Sequence, residues 1–341
     1  MKVSDVKDLS DFKEALEALG FSGETSLEQF IGAAQVAGPE LAKYLGVSVS
    51  TLVNTANTIM GSANAIPQSA LNSISHATYS LGVAIDHVPL PSTAPSVILP
   101  LATPVSSVNL IPQLPPVRNQ ESRGTCVAHA ALAAHEHFLT VEGAFHELSE
   151  QFLYWNCKRN DGIPNTEGTW LAVALPLLQL EGACLESTWP YNPTPIPGNE
   201  GQGPPPGGAQ LEALTYRAPT YKRIAPTSVS DIKNELANGR CVAFSVPVFN
   251  SWLRSQWVAY SGDITMPVPG EVRSGGHAMC MVGYIDLPNP GLGGGRFIIR
   301  NSWGTNWGIN ASNGGVPTPG YGTIPYAYID RMGSEAYSIS N

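Results

Sequence analysis

Proline and glycine set the tightest limit on what this chain can fold into. With 29 Pro and 34 Gly in 341 residues, helices are interrupted often and turns are demanded throughout, so an architecture of long helices is excluded. Two runs concentrate them. The first, Val88-Pro89-Leu90-Pro91-Ser92-Thr93-Ala94-Pro95, follows a polar stretch without helical period, and residues 63–105 read as an extended, partly stiff linker. The second, Pro193 to Gly198 and on through Gly203-Pro204-Pro205-Pro206-Gly207-Gly208, predicts an exposed loop inside a larger region, residues 106–341. A hydrophobic fraction of 43% with 13% charged residues supports a sizeable core and excludes a wholly disordered chain. The formal net charge of −9 repels phosphate and anionic lipid, so nucleic acid and membrane surfaces are not expected partners. No charge-free apolar run of about 18 residues marks a membrane span.

Residues 1–62 read as short helices. Ser26-Leu27-Glu28-Gln29 has the form of a capping box, and Leu27, Phe30, Ile31 and Ala34 follow at helical spacing. Gly38-Pro39 closes that helix and opens the next, which Gly46 ends; a further helix is expected from about Ser50 to Met60. Glu40 to Leu52 has a weak helix-turn-helix likeness, but the second helix offers only Asn54 and Asn57 and no positive charge. With four Lys against eight acids, a packing or protein-interaction module is the expectation, not a DNA reader. The N-terminus has charges where a secretory signal needs an apolar stretch, so the location expected is cytoplasmic, or outside by a non-classical route.

Cys126 opens an Ala-rich helix, directly after Gln120-Glu121-Ser122-Arg123-Gly124-Thr125. The positive end of a helix stabilises a thiolate, the nucleophilic form of cysteine. Far downstream, Ser274-Gly275-Gly276-His277-Ala278 and Asn301-Ser302-Trp303-Gly304 each read as a strand with polar residues at its edge. The five cysteines, Cys126, Cys157, Cys184, Cys241 and Cys280, are odd in number and lack C-x-x-C spacing, which argues against zinc. Cys157 and Cys184 could pair, whereas Cys241 and Cys280 sit in apolar runs that suggest buried thiols. His129, His135 and His137 share the cysteine helix with no acidic or Cys partner at fixed spacing, so no metal is expected.

Taken in order, Gln120, Gly124-Thr125-Cys126, Gly276-His277-Ala278 and Asn301-Ser302-Trp303-Gly304 resemble the four signatures of papain-like cysteine peptidases, nearest to the bacterial branch, with an atypical N-terminal helical region. The resemblance implies an α+β, two-lobed papain-like fold preceded by a small all-α domain. It implies Cys126 as nucleophile, His277 as its acid–base partner, Asn301 as the residue that orients the imidazole, and Gln120 as an oxyanion donor. Gly168, Gly275, Gly276 and Trp303 are the implied substrate-side residues, the glycines letting an extended peptide pass close. No cofactor is implied, the partner is a peptide or protein substrate, and a monomer is expected. Residues 1–105 are expected to dock on the chain's own cleft and hold a zymogen inactive. Alternatives are a catalytically silent peptide-binding relative and a thiol acyltransferase or transpeptidase. Three positions depart from the family pattern: Arg123 replaces a cysteine that often forms a disulfide, Val127 a tryptophan, and His129 a phenylalanine.

Overall fold

The computed structural model describes residues 7–21, 27–60, 66–76, 79–84, 105–288, 290–313 and 316–341. Four short helices come first: α1 (Lys13–Ala18), α2 (Leu27–Val36), α3 (Gly38–Leu45) and α4 (Val49–Met60). Pro39 lies in the first turn of α3, and Gly46 ends it in the left-handed region at φ 71°, as the Gly-Pro and Gly signals predict. Ser26, the head of the expected capping box, and the Pro-rich run 88–95 lie outside the described residues.

Leu16, Phe21, Phe30, Ile31, Leu41, Leu52 and Ile59 form the core of these helices, and Val268, from a loop some two hundred residues away, completes it. Burying such a valine stabilises by about 1.5–3 kcal/mol, so this core is built jointly with the rest of the chain. A fifth helix, α5 (Gln68–His76), falls where the sequence reading had only an extended linker. Ala70 and Ile74 are buried, an i,i+4 pair that a polar stretch conceals and that tertiary contact rescues.

Three helices make one lobe: α6 (Cys126–Val141), α7 (Glu150–Asn160) and α8 (Leu171–Leu180). Every residue of α6 from Cys126 to His137 is buried, the mark of a helix enclosed on all sides, and its buried His129, His135, Glu136 and His137 each find a polar partner. Ser149 caps α7 by accepting from the Phe152 N–H at 3.0 Å. A short helix, α9 (Ala209–Ala213), closes the proline-rich loop; most of that loop is exposed as expected, but Gly201 is buried against Trp155.

The other lobe is an antiparallel sheet of β1 (Ser107–Asn109), β2 (Thr220–Arg223), β3 (Val242–Phe249), β4 (Arg273–Asp286) and β5 (Gly295–Arg300), with two later strands. A small ribbon pairs β6 (Ser312–Asn313) with β7 (Val316–Pro317), and β8 (Tyr321–Pro325) and β9 (Glu335–Ser340) complete the set. The main order is β2-β9-β3-β4-β5-β8, with β1 also on β4. Helices α10 (Val229–Ala237), α11 (Asn250–Leu253), α12 (Gln256–Ser261) and α13 (Tyr326–Met332) surround it. Among the described residues no helix is long and apolar enough to cross a membrane.

The N-terminal helices rest on α11 and α12. A Cβ on Gly32 of α2 would collide with Ser255 Oγ at 2.5 Å and press on Trp257, so only glycine permits this approach. Gln29, buried, donates from Nε2 to the Asp263 carbonyl at 3.3 Å.

Candidate active site

The register of β4 and β5 brings the candidate residues together. Cys280 lies opposite Arg300, so Asn301, one step past β5, falls beside the stretch of β4 that carries His277. Asn301 Oδ1 meets His277 Nε2 at 2.8 Å, while α6 packs against β4 and presents Cys126 at its first residue. The Cys126 Sγ accepts from the Ala278 N–H at 3.4 Å, and the amides of Gly82, Val127 and Cys126 itself also favour its charged form. Among the described residues His277 Nδ1 has no hydrogen-bond partner, which leaves that nitrogen free to serve the thiol.

Burial dominates both groups in this state. It pushes the Cys126 thiol up to about 12, against the pull of those amides, and it pushes His277 down to about 4, against the Asn301 hydrogen bond. At neutral pH the pair is therefore thiol and neutral imidazole. Trp303 stacks on His277 with centroids 4.5 Å apart, and Trp252 stands edge-on at 6.1 Å. Trp252 escaped the sequence reading; it sits in a short helix with no motif, and only the fold brings it here.

Gln120 is fully buried. Its Oε1 accepts from Ser302 Oγ at 2.6 Å, and its Nε2 donates to the Arg123 carbonyl at 2.8 Å and to the Ser80 carbonyl at 3.1 Å. The loop around it is held from two sides. Arg118 binds Glu150 and Glu136, each at 3.0 Å. Arg123, only 1% exposed, donates to Gln151 Oε1 at 2.7 Å and to the carbonyls of Asn192 at 2.6 Å and Glu200 at 2.9 Å. Its guanidinium also lies 5.3 Å from the ring centroids of both Tyr154 and Tyr191. A buried arginine thus ties together the segments it contacts, through three hydrogen bonds from one planar fork. All five cysteines are free and buried; Cys157 and Cys184, which the sequence left open to pairing, do not pair.

Residues 79–84 lie across these groups. The Ser80 carbonyl takes the Gln120 donor and also the Trp303 Nε1–H at 3.0 Å, and the Tyr79 ring stacks on Trp303 at 4.8 Å. The amides of Gly82 and Val83 donate to the Gly276 carbonyl at 3.3 and 3.1 Å, while Thr169 N donates to the Gly82 carbonyl at 3.0 Å and Ala84 N to the Thr169 carbonyl at 3.3 Å. Leu81 covers Gly275, where a Cβ would stand 2.5 Å from Leu81 Cδ1. Gly168 has φ 88°, and a Cβ there would meet the Gly82 carbonyl at 2.8 Å. Gly168, Gly275 and Gly276, the glycines that the resemblance puts on the substrate side, therefore all touch this one segment. The three histidines of α6 have separate partners: Thr125 O for His129, Tyr216 O for His135 and Gln113 Oε1 for His137.

The description "Papain family cysteine protease" matches residues 108–312, more than half of the chain. The chain belongs to the papain family. Similar proteins include an uncharacterised peptidase C1-like protein of Acanthamoeba polyphaga mimivirus, 29% identical over 67% of this chain and 71% of that one. Papain from Carica papaya is 29% identical over 57% of this chain, which spans about half (49%) of the plant protein's length. Among solved structures, xylellain, a cysteine protease from Xylella fastidiosa, is 26% identical with a TM-score of 0.58, covering 78% of this chain and 96% of that one. The papain-like fold is thus the fold of this chain, with helices before residue 100 added to it. Thiol peptidase chemistry is the activity that this membership supports.

Proposed function

We propose that the chain is a papain-family thiol peptidase made in a self-occluded form, with residues 79–84 as the plug. The observation that carries the reading is the position of Ser80 and Gly82: the Ser80 carbonyl fills the Gln120 donor, and the Gly82 amide is among those that bear on Cys126 Sγ. A peptide substrate needs the same places.

In the mechanism that follows, departure of the plug admits water, and the burial that separates the two pKa values is relieved. Cys126 then passes its proton to His277 Nδ1, and the helix N-terminus with its nearby amides favours the thiolate. Sγ attacks the scissile carbonyl. The Gln120 Nε2–H and the Cys126 N–H hold the oxyanion, and loss of one such donor costs about 10²–10³ in rate. His277 gives the proton to the leaving amine, and water then hydrolyses the thioester. Asn301 fixes the ring, and Trp303 shields that hydrogen bond from water.

Intact mass spectrometry of the full chain with an epoxysuccinyl thiol inhibitor tests this under reducing conditions. One adduct on wild type, none on Cys126→Ser, and hydrolysis of a reporter peptide once residues 79–84 are displaced are the expected results. An adduct that forms without any peptide hydrolysis would instead favour a silent binding protein, and an amide product with an added amine would favour a transferase.

A further inference from the structure

The loop ahead of α6 makes further contacts that meet at one phenol. Tyr191 Oη donates to the Gln120 carbonyl at 2.9 Å. A phenol has one proton to give, so Thr125 Oγ1, 2.7 Å away, donates to the Tyr191 oxygen. Gln120 and Thr125 are both fully buried, and burial pushes the Tyr191 phenol up to about 12, so its proton stays in place through the neutral range. Tyr191 is itself anchored. Its N–H donates to Glu186 Oε1 at 2.8 Å, and its ring meets His129 edge-on with centroids 5.1 Å apart.

Thr125 is the N-cap of α6, yet its hydroxyl makes no bond to the helix, unlike the usual threonine cap. The Tyr191 phenol holds that hydroxyl aside, and the Val127 amide of the first turn remains for Cys126 Sγ. The Thr125 carbonyl accepts from His129 Nδ1 at 3.1 Å and lies in one peptide plane with the Cys126 N–H. Each residue that Tyr191 bridges therefore governs one oxyanion donor, Gln120 through its own Nε2–H and Thr125 through the peptide bond it shares with Cys126. We propose that Tyr191 is a positioning residue that fixes the spacing of these two donors, acting through Gln120 and Thr125. Donors set in place before charge develops need no reorganisation during the reaction, and a misplacement of about 1 Å costs up to about 10²-fold in rate. This rests on the reading of Cys126 as a peptidase nucleophile.

Kinetics of the full chain carrying Gly82→Leu, a substitution that crowds the plug, test the assignment with the best of a set of peptidyl aminocoumarin reporters. Acylation and deacylation each build an oxyanion, whereas alkylation of Cys126 by iodoacetamide builds none. Tyr191→Phe, added to this chain, keeps the ring and removes the hydroxyl. Its kcat is expected to fall about tenfold, with KM and the iodoacetamide rate each changed by less than about twofold. Thr125→Val should lower kcat likewise, and the two together about as much as Tyr191→Phe alone, because they break one link. Thr125→Ser, which keeps the hydroxyl, should retain more of kcat than Thr125→Val. A kcat unmoved by Tyr191→Phe, or an iodoacetamide rate that falls along with it, overturns the assignment and leaves the peptidase reading intact. Alkylation of Cys126 in the Gly82→Leu chain with none of the reporters hydrolysed overturns the peptidase reading, and the assignment with it.

Discussion

Two segments are laid against the first turn of α6, and they are held in opposite ways. Residues 120–125 are fastened by side chains: buried Gln120, Arg123 and Thr125, with the guanidinium donating to partners on three other segments. Residues 79–84 are fastened mostly by backbone hydrogen bonds, with Tyr79 and Leu81 only half-buried. Backbone pairing accepts many sequences and lets go when its end is cut, whereas a buried cation leaves only by unfolding its surroundings. The contrast separates a permanent wall from a removable occupant.

The heaviest blow to the permanent side is Arg123→Met. It strands Gln151 Oε1 and two half-buried carbonyls, and an expected loss of about 3 kcal/mol appears as a lower midpoint in urea unfolding. Because no disulfide is present, the wild-type midpoint should not respond to reductant; a drop on reduction would show that a covalent staple holds this loop after all. Gly82→Leu attacks the removable side. A Cβ at Gly82 would drive into the Gly124 backbone, and overpacking of about 1–3 kcal/mol predicts inhibitor labelling of the full chain faster by about tenfold or more. Equal labelling rates would mean that residues 79–84 do not restrict the cleft.

Acid probes the proton count of the same comparison. Burial pushes His277 down to about 4, and on opening its proton comes from Cys126, so the pair holds the same number of protons in both states and acid does not by itself favour opening. The labelling rate of wild type, divided by that of Gly82→Leu, should stay flat from pH 6.5 toward pH 4; a ratio that rises would show that opening takes up a proton from solvent. A smaller effect than that of Gly82→Leu belongs to Leu81→Ala. Partial loss of a half-buried leucine, about 1 kcal/mol, should speed labelling about fivefold and leave the unfolding midpoint unchanged.

What was legible in the sequence was whatever local chemistry spells out. Gly38-Pro39 and Gly46 punctuate helices because backbone sterics act within a few residues. Cys126, His277 and Asn301 stand out because each has a glycine or tryptophan within two residues, and Gln120 because it shortly precedes Cys126; the structure brings all four to one place. Helix α5 was hidden because three apolar residues in nine, Ala70, Leu71 and Ile74, are too few to set a period, and its stability comes from what it packs against.

The sequence by itself determined the candidate reacting groups and, through the resemblance of their motifs to papain-like signatures, the fold class, since short motifs carry both. Only the tertiary structure decided that Tyr79–Ala84, six residues without period or charge, lie against Gln120, Gly168 and Gly276. It alone gave Arg123 its three hydrogen bonds and two aromatic contacts and placed Val268 in the core of the N-terminal helices. The physical reason is shared by all three. Backbone hydrogen bonds and buried contacts between residues a hundred or more positions apart depend on how strands register and lobes dock, and no local window of residues contains that information.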